Sequence, residues 1–164
     1  MQRNRLITLP DHALHKIEVA VPKIVERHAI VALFALRIVA QQLNDQANRW
    51  LAPLGLNFAR YRYLVSLIRE EMTVDEIGVR MHTTRASVSE FLPSLEDDGL
   101  IERRPHPSDG RSSLIRLTAK GNRRMKSAIP LHCENIEAGM KRLSINERKQ
   151  LVRLLQKIDF LPED

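Results

Sequence analysis

Thr73-Val-Asp-Glu-Ile-Gly-Val-Arg-Met81 and Thr83-Thr-Arg-Ala-Ser-Val-Ser-Glu-Phe-Leu-Pro-Ser-Leu-Glu-Asp-Asp-Gly99 are separated by one residue, and Leu100-Ile-Glu-Arg-Arg-Pro-His-Pro-Ser-Asp-Gly-Arg-Ser-Ser-Leu-Ile-Arg-Leu-Thr118 follows at once. The first piece opens with a capping box. The Thr73 hydroxyl can meet an amide three residues on, and Glu76 can reach back to the Thr73 amide. Ile77 and Met81 then point inward. Thr84 is the cap of a second helix, with Val88, Phe91, Leu92 and Leu95 on one face and Gly99 as its stop. The third piece holds two β-rich runs joined by a Pro-, Asp- and Gly-containing tip, the pattern of a hairpin. Helix, tight turn, helix and basic β-ribbon together spell a winged helix-turn-helix, which presents one helix to the major groove of DNA and a ribbon to its flank.

The flanks read as helical. From Lys23 to about Trp50, apolar residues recur at Ile24, Val31, Phe34, Ala35, Ile38, Val39 and Leu43, the spacing of an amphipathic helix. Ala52-Pro53-Leu54-Gly55 interrupts it. Asn57 can cap the next helix, whose face carries Tyr61, Leu64, Val65 and Ile68. After Gly121, Met125, Ile129, Ile136 and Met140 keep a helical face that Pro130 breaks. A second capping box, Ser144 to Glu147, starts the last helix, with Leu151, Leu154, Leu155 and Ile158 along one side. The expected fold is mainly α (α+β), with a two-stranded β-wing. Three regions are expected: N-terminal helices over 11–52, the winged unit over 56–121 and C-terminal helices over 122–160.

The net charge of +6 is confined to one place. Residues 101–126 carry eight basic side chains, among them Arg103, Arg104, Arg111 and Arg116, against Glu102 and Asp109 alone, and the rest of the chain is balanced. Such clustering marks a footprint for a polyanion, here double-stranded DNA. The second helix differs. From Thr84 to Gly99, Arg85 stands against Glu90, Glu96, Asp97 and Asp98, so phosphate attraction is expected from the hairpin, helped by Arg60, Arg62 and Arg80. Bases are read by the outward residues of that helix: Thr84, Arg85, Ala86, Ser87, Ser89 and Glu90. Arg85 can donate twice to guanine, Glu90 can accept from cytosine and the Ala86 methyl can touch thymine. At the hairpin tip Asp109 can hold the Arg111 guanidinium for a narrow minor groove. Pro93 lacks an amide hydrogen and crowds the Ser89 carbonyl, which predicts a kink or an early end of the helix.

Over Thr73–Gly121 these residues resemble the MarR family of bacterial transcription regulators. The matching pieces are the capped first helix, the block from Thr84 to Arg104, the Ser108–Arg111 wing tip with its Asp109 and Arg111, and the closing Leu114–Gly121. The last helix, from Leu143, is similar to the family's own. The resemblance implies a homodimer with interleaved N- and C-terminal dimerisation helices. It further implies two winged units on a pseudo-palindromic operator, most often in a repressor, and release by a small apolar or aromatic effector. Phe34, Trp50, Phe58, Tyr61 and Tyr63 are the candidates for lining the effector pocket, although each taken singly is better accounted for as core. Pro93 and Glu90 depart from the basic or polar residues usual at those places. The family's peroxide-sensing branch uses a cysteine near its N-terminus, and the first 50 residues here contain none.

Other functions find less support. The single cysteine, Cys133, excludes an internal disulfide and a multi-cysteine zinc site, fits a reducing cytoplasm and reads as a structural or spectator thiol. His12 and His15 share a helix face without a third ligand in register, so no metal is expected. There is no Gly-rich phosphate loop, nucleophile elbow or pair of catalytic carboxylates, so neither an enzyme nor a cofactor is expected. No signal-peptide pattern or membrane-length apolar run occurs, and the longest, Ala29–Leu36, has eight residues. The acidic second helix leaves room for a protein-interaction adaptor that keeps the winged fold without binding DNA. A metal- or thiol-responsive regulator would have to work through His12, His15 or Cys133.

Overall fold

The structure is a computed structural model that describes residues 16, 27–109 and 112–159. His12, His15 and Arg111 lie outside them. The chain divides into two compact units between Arg49 and Trp50. The order of elements is α1 (Arg27–Leu51), a 3-10 turn at Ala52–Leu54, α2 (Phe58–Ser66), α3 (Val74–Met81), α4 (Arg85–Asp97), β1 (Ile101–Pro105), β2 (Ser113–Leu117), α5 (Ala119–Met140) and α6 (Ile145–Leu155). This is the mainly helical, winged helix-turn-helix architecture that the sequence implies.

In the first unit α1 keeps Val31, Phe34, Ala35 and Ile38 half-buried, while Val39 and Leu43 of the expected apolar face are exposed, together with Leu33 and Leu36.

The second unit is organised by its caps. Asn57, Thr73, Thr84, Thr118 and Ser144 each accept a hydrogen bond from a first-turn amide. Thr73 and Ser144 complete reciprocal capping boxes with Glu76 and Glu147. Each cap occupies a donor that the helix itself leaves unpaired, which fixes where the helix begins. The core gathers Leu51, Leu56, Leu64, Leu67, Ile77, Val88, Leu92, Leu95, Leu100, Ile115, Met125 and Ala128. Removing each of the larger side chains from water contributes roughly 1.5–3 kcal/mol. On α2, Tyr61, Tyr63 and Leu64 are buried, whereas Val65 is 39% exposed and leaves the face assigned to it.

β1 and β2 pair antiparallel, Ile101 opposite Leu117 and Pro105 opposite Ser113. Met72 adds a bridge to Ile115, bonded in both directions at 3.1 and 2.8 Å, so the segment before α3 is tied to the root of the hairpin. At the other side of the root, Thr118 donates to the Gly99 carbonyl at 2.6 Å while capping α5. Gly121 faces Leu100 so closely that a Cβ there would stand 2.1 Å from the Leu100 carbonyl oxygen.

The early helix end expected at Pro93 and the break expected at Pro130 are corrected. α4 continues through Pro93 to Asp97, and α5 continues through Pro130 to Met140. Leu92 and Leu95, fully buried on either side of Pro93, hold the helical path by packing, while Pro93 itself is exposed. Tertiary burial here outweighs the missing hydrogen bond.

Candidate nucleic-acid interface

α4 stands on the buried Val88, Leu92 and Leu95. The opposite side carries Thr84, Arg85, Ala86, Ser87, Ser89 and Glu90, all exposed. The Thr84 hydroxyl accepts from the Ser87 amide at 3.2 Å and lies 2.9 Å from the Ser87 hydroxyl, so those two polar groups are engaged in fixing the helix start. A face of short side chains on a rigid, buried backing suits a groove about 12 Å wide.

Two of the four carboxylates that make this stretch acidic are engaged within the fold, while Glu90 and Asp97 are exposed. Glu96 takes the Arg103 Nε with both oxygens at 2.9 Å, which ties the end of α4 to β1. Asp98 bonds the Arg60 guanidinium, which also donates to the Ser94 carbonyl at 3.1 Å. That contact holds the Asp98 carboxyl below its usual range. Arg60, expected to help attract phosphate, is therefore a tether between α2 and the end of α4, its side chain only 19% exposed. Arg80 is similarly occupied by Glu70 at 2.6 Å and the Ser66 carbonyl at 3.3 Å, while Arg62 remains exposed.

The wing arginines have partners as well. Glu71, in the segment before α3, bonds Arg104 of β1 and lies 3.5 Å from Arg116 of β2. Arg116 also donates to Glu102 at 2.6 Å, and these two carboxylates push its guanidinium pKa up. The positive cluster read from the sequence is thus an alternation of arginine and glutamate at the wing root. Each of these guanidinium groups keeps N–H donors beyond those its carboxylate occupies, and a phosphate can be bound through them. Further along, Asp109 is exposed and its carbonyl accepts from the Ser112 amide at 3.0 Å, closing the tip.

The effector-pocket candidates separate into groups. Tyr63 stacks on Phe91 with ring centroids 4.3 Å apart and belongs to the contact between α2 and α4. Trp50, Phe58 and Tyr61 instead surround His132 of α5, with centroids 6.2, 5.6 and 4.6 Å from its ring. Phe34 belongs to the first unit. His132 is buried, and its Nδ1 has no hydrogen-bond partner among the described residues. Burial holds its pKa below the usual histidine value. The Tyr61 phenol is pushed up, mainly by burial and next by the charge of Cys133. Cys133, read as a structural or spectator thiol, is exposed, because the α5 face that turns inward carries His132 in its place. His132 is the residue of this cluster that the sequence analysis missed. Its one signal was position, seven residues after Met125 on the inward stripe of α5.

Among the described residues no helix is long and apolar enough to cross a membrane, and no cluster of three metal-ligating side chains occurs.

Comparison with known proteins places this geometry. The MarR family model matches residues 54–112, from the 3-10 turn to the wing tip. The HTH-type transcriptional repressor YetL of Bacillus subtilis is 28% identical over 120 residues, 71% of this chain and 72% of that protein. The HTH-type transcriptional regulator YkoM of the same species is 33% identical over 104 residues, 63% of this chain and 68% of its own. Among solved structures, a cysteine-to-serine mutant of MarR from Escherichia coli complexed with operator DNA superimposes with a TM-score of 0.71 at 26% identity, covering 77% of this chain and 91% of that one. With a capped helix pair, a wing and relatives matched over most of their length, the chain belongs to the MarR family of transcriptional regulators.

Proposed function

We propose that this chain is a homodimeric, DNA-binding transcriptional repressor that recognises a pseudo-palindromic operator and is released by a small apolar or aromatic effector. The observation that carries it is the exposed, short-chained face of α4, from Thr84 to Glu90, backed by fully buried Val88 and Leu92 and flanked by an arginine-bearing wing. In this reading Arg85, Ala86, Ser89 and Glu90 contact base edges. Thr84 and Ser87 set the helix start. Arg103, Arg104 and Arg116 contact phosphates, and Asp109 orients Arg111 into the minor groove.

Residues 56–121 form the DNA-binding domain, and 11–52 and 122–160 pair with their counterparts in a second copy. The exposed leucines of α1 and α6 support that pairing, since Leu36, Leu43, Leu151, Leu154 and Leu155 are each at least 36% exposed in the single chain. Two-fold symmetry then sets the two α4 helices one turn of duplex, ~34 Å, apart. The effector contacts Trp50, Phe58 and Tyr61 around His132. It acts by favouring a separation of the winged units that does not fit the operator.

Binding of the purified protein to a random duplex pool, followed over salt concentration, tests the reading. Enrichment of a two-fold symmetric sequence and a linear fall of log affinity with log salt are expected. Absence of salt-dependent binding to any duplex refutes it.

A further inference from the structure

Arg85, the first residue of α4, is held from outside its own helix. Thr73 fixes the start of α3, which puts Asp75 in its first turn, exposed. One turn on, Gly78 lets the following backbone pass close by: a Cβ there would stand 3.1 Å from the Thr83 carbonyl oxygen. His82 ends α3 with φ 51, and the Thr83 amide returns to the Gly78 carbonyl at 2.9 Å. These constraints bring the start of α4 beside the first turn of α3, and the Asp75 carboxylate accepts a hydrogen bond from Arg85 Nη1.

A guanidinium carries five donors in one rigid plane. Asp75 engages Nη1, and the edge made by Nε and Nη2 has no partner among the described residues. That edge is the fork that fits O6 and N7 of guanine. Without Asp75, an arginine at the end of a flexible stem on a helix facing DNA has an easier target in the phosphates, which carry no sequence information. A carboxylate on Nη1 offsets that attraction and restrains the stem, while the fork stays available.

We propose that Asp75 is a specificity-determining positioning residue: it touches no base, but it holds Arg85 so that the Nε–Nη2 edge meets a guanine in each half-site. The inference rests on the DNA-binding reading above. It assigns α3, otherwise the supporting helix of the pair, a part in sequence selection.

The experiment is selection from a random duplex pool by the wild-type protein, Asp75→Asn, Arg85→Ala and the double variant, with a thermal melt of each to confirm folding. Wild type should enrich guanine at one position per half-site, and Arg85→Ala should abolish that preference alone. Asp75→Asn should lower the preference at the same position about tenfold, within the span of one bidentate base contact. The other positions should keep their preferences, while affinity for unrelated duplexes rises. In the double variant the Asp75 substitution should change nothing further at that position. Unchanged guanine preference in folded Asp75→Asn, or a loss spread evenly over all positions, overturns the inference while leaving the DNA-binding reading in place. A wild-type protein that enriches no sequence and binds no duplex overturns both.

Discussion

At the residue scale, two residues fix what the fold tolerates. Gly121 has no room for a methyl group, because the Leu100 carbonyl is in the way, on backbone that leads directly into β1, while Gly121 itself lies in the first turn of α5. Gly121→Ala should therefore destabilise the protein by about 2–3 kcal/mol, the cost of overpacking a rigid site, read from urea unfolding. His132 is different, since its burial has a pH signature. Its pKa in the folded chain lies below the unfolded value near 6.5. The unfolded chain therefore takes up the proton first, and the contribution from a neutral His132 is complete above about pH 7. It declines as pH falls through 6.5 towards the depressed folded value. Urea midpoints should drop between pH 7.5 and 5.5 in the wild type, and His132→Phe should flatten that part of the profile. An equal drop in the variant would show that other groups cause it. None of this was legible beforehand, because burial of one histidine in a ring of three aromatics depends on how α2 and α5 meet.

At the element scale, the sequence was most informative where local chemistry decides. The boxes Thr73–Glu76 and Ser144–Glu147 and the caps Thr84 and Asn57 start their helices as read, because each needs only partners within one turn. Pro93 and Pro130 misled for the same reason: local rules predict interruption, and packing by distant residues carries the helix across. The wing's charge balance was equally hidden. Glu71 meets Arg104 and Arg116 across 33 and 45 residues of sequence, and nothing in the run of basic residues announces a carboxylate from before α3. The consequence is testable. Glu71→Gln should release both guanidinium groups to phosphate, raising affinity for arbitrary duplexes. It should also steepen the log–log salt dependence by roughly two units, about one for each additional phosphate contact. An unchanged slope in binding titrations would mean that DNA already displaces Glu71.

At the scale of the whole molecule, the expected assembly turns on α6. Its apolar residues are exposed in the single chain, Val152 and Leu154 both at 53%, although the helix is well capped. If a second copy covers them, Leu154→Asp should weaken dimerisation by about a hundredfold, near 3 kcal/mol, through lost burial and a buried charge. Sedimentation would then show a monomer whose α-helical circular dichroism is unaltered. A dimer of undiminished affinity would place the contact elsewhere. The architecture was legible because amphipathic helices announce their apolar side. What covers that side was not, because an apolar stripe reads alike against its own chain and against another.

The two backbone hydrogen bonds between Met72 and Ile115 have a consequence for the DNA. They fasten the wing root to the segment that leads into α3, while the Arg103–Glu96 pair fastens β1 to the end of α4. Recognition helix and wing root thus form a caliper of fixed opening, with the gap between its jaws set by the fold. If α4 and the wing engage DNA as proposed, a duplex whose adjacent grooves do not match that gap has to narrow or twist, and its stiffness becomes part of the affinity. Base pairs that no side chain touches, between the α4 contact and the wing contact, would then be chosen for how readily they yield.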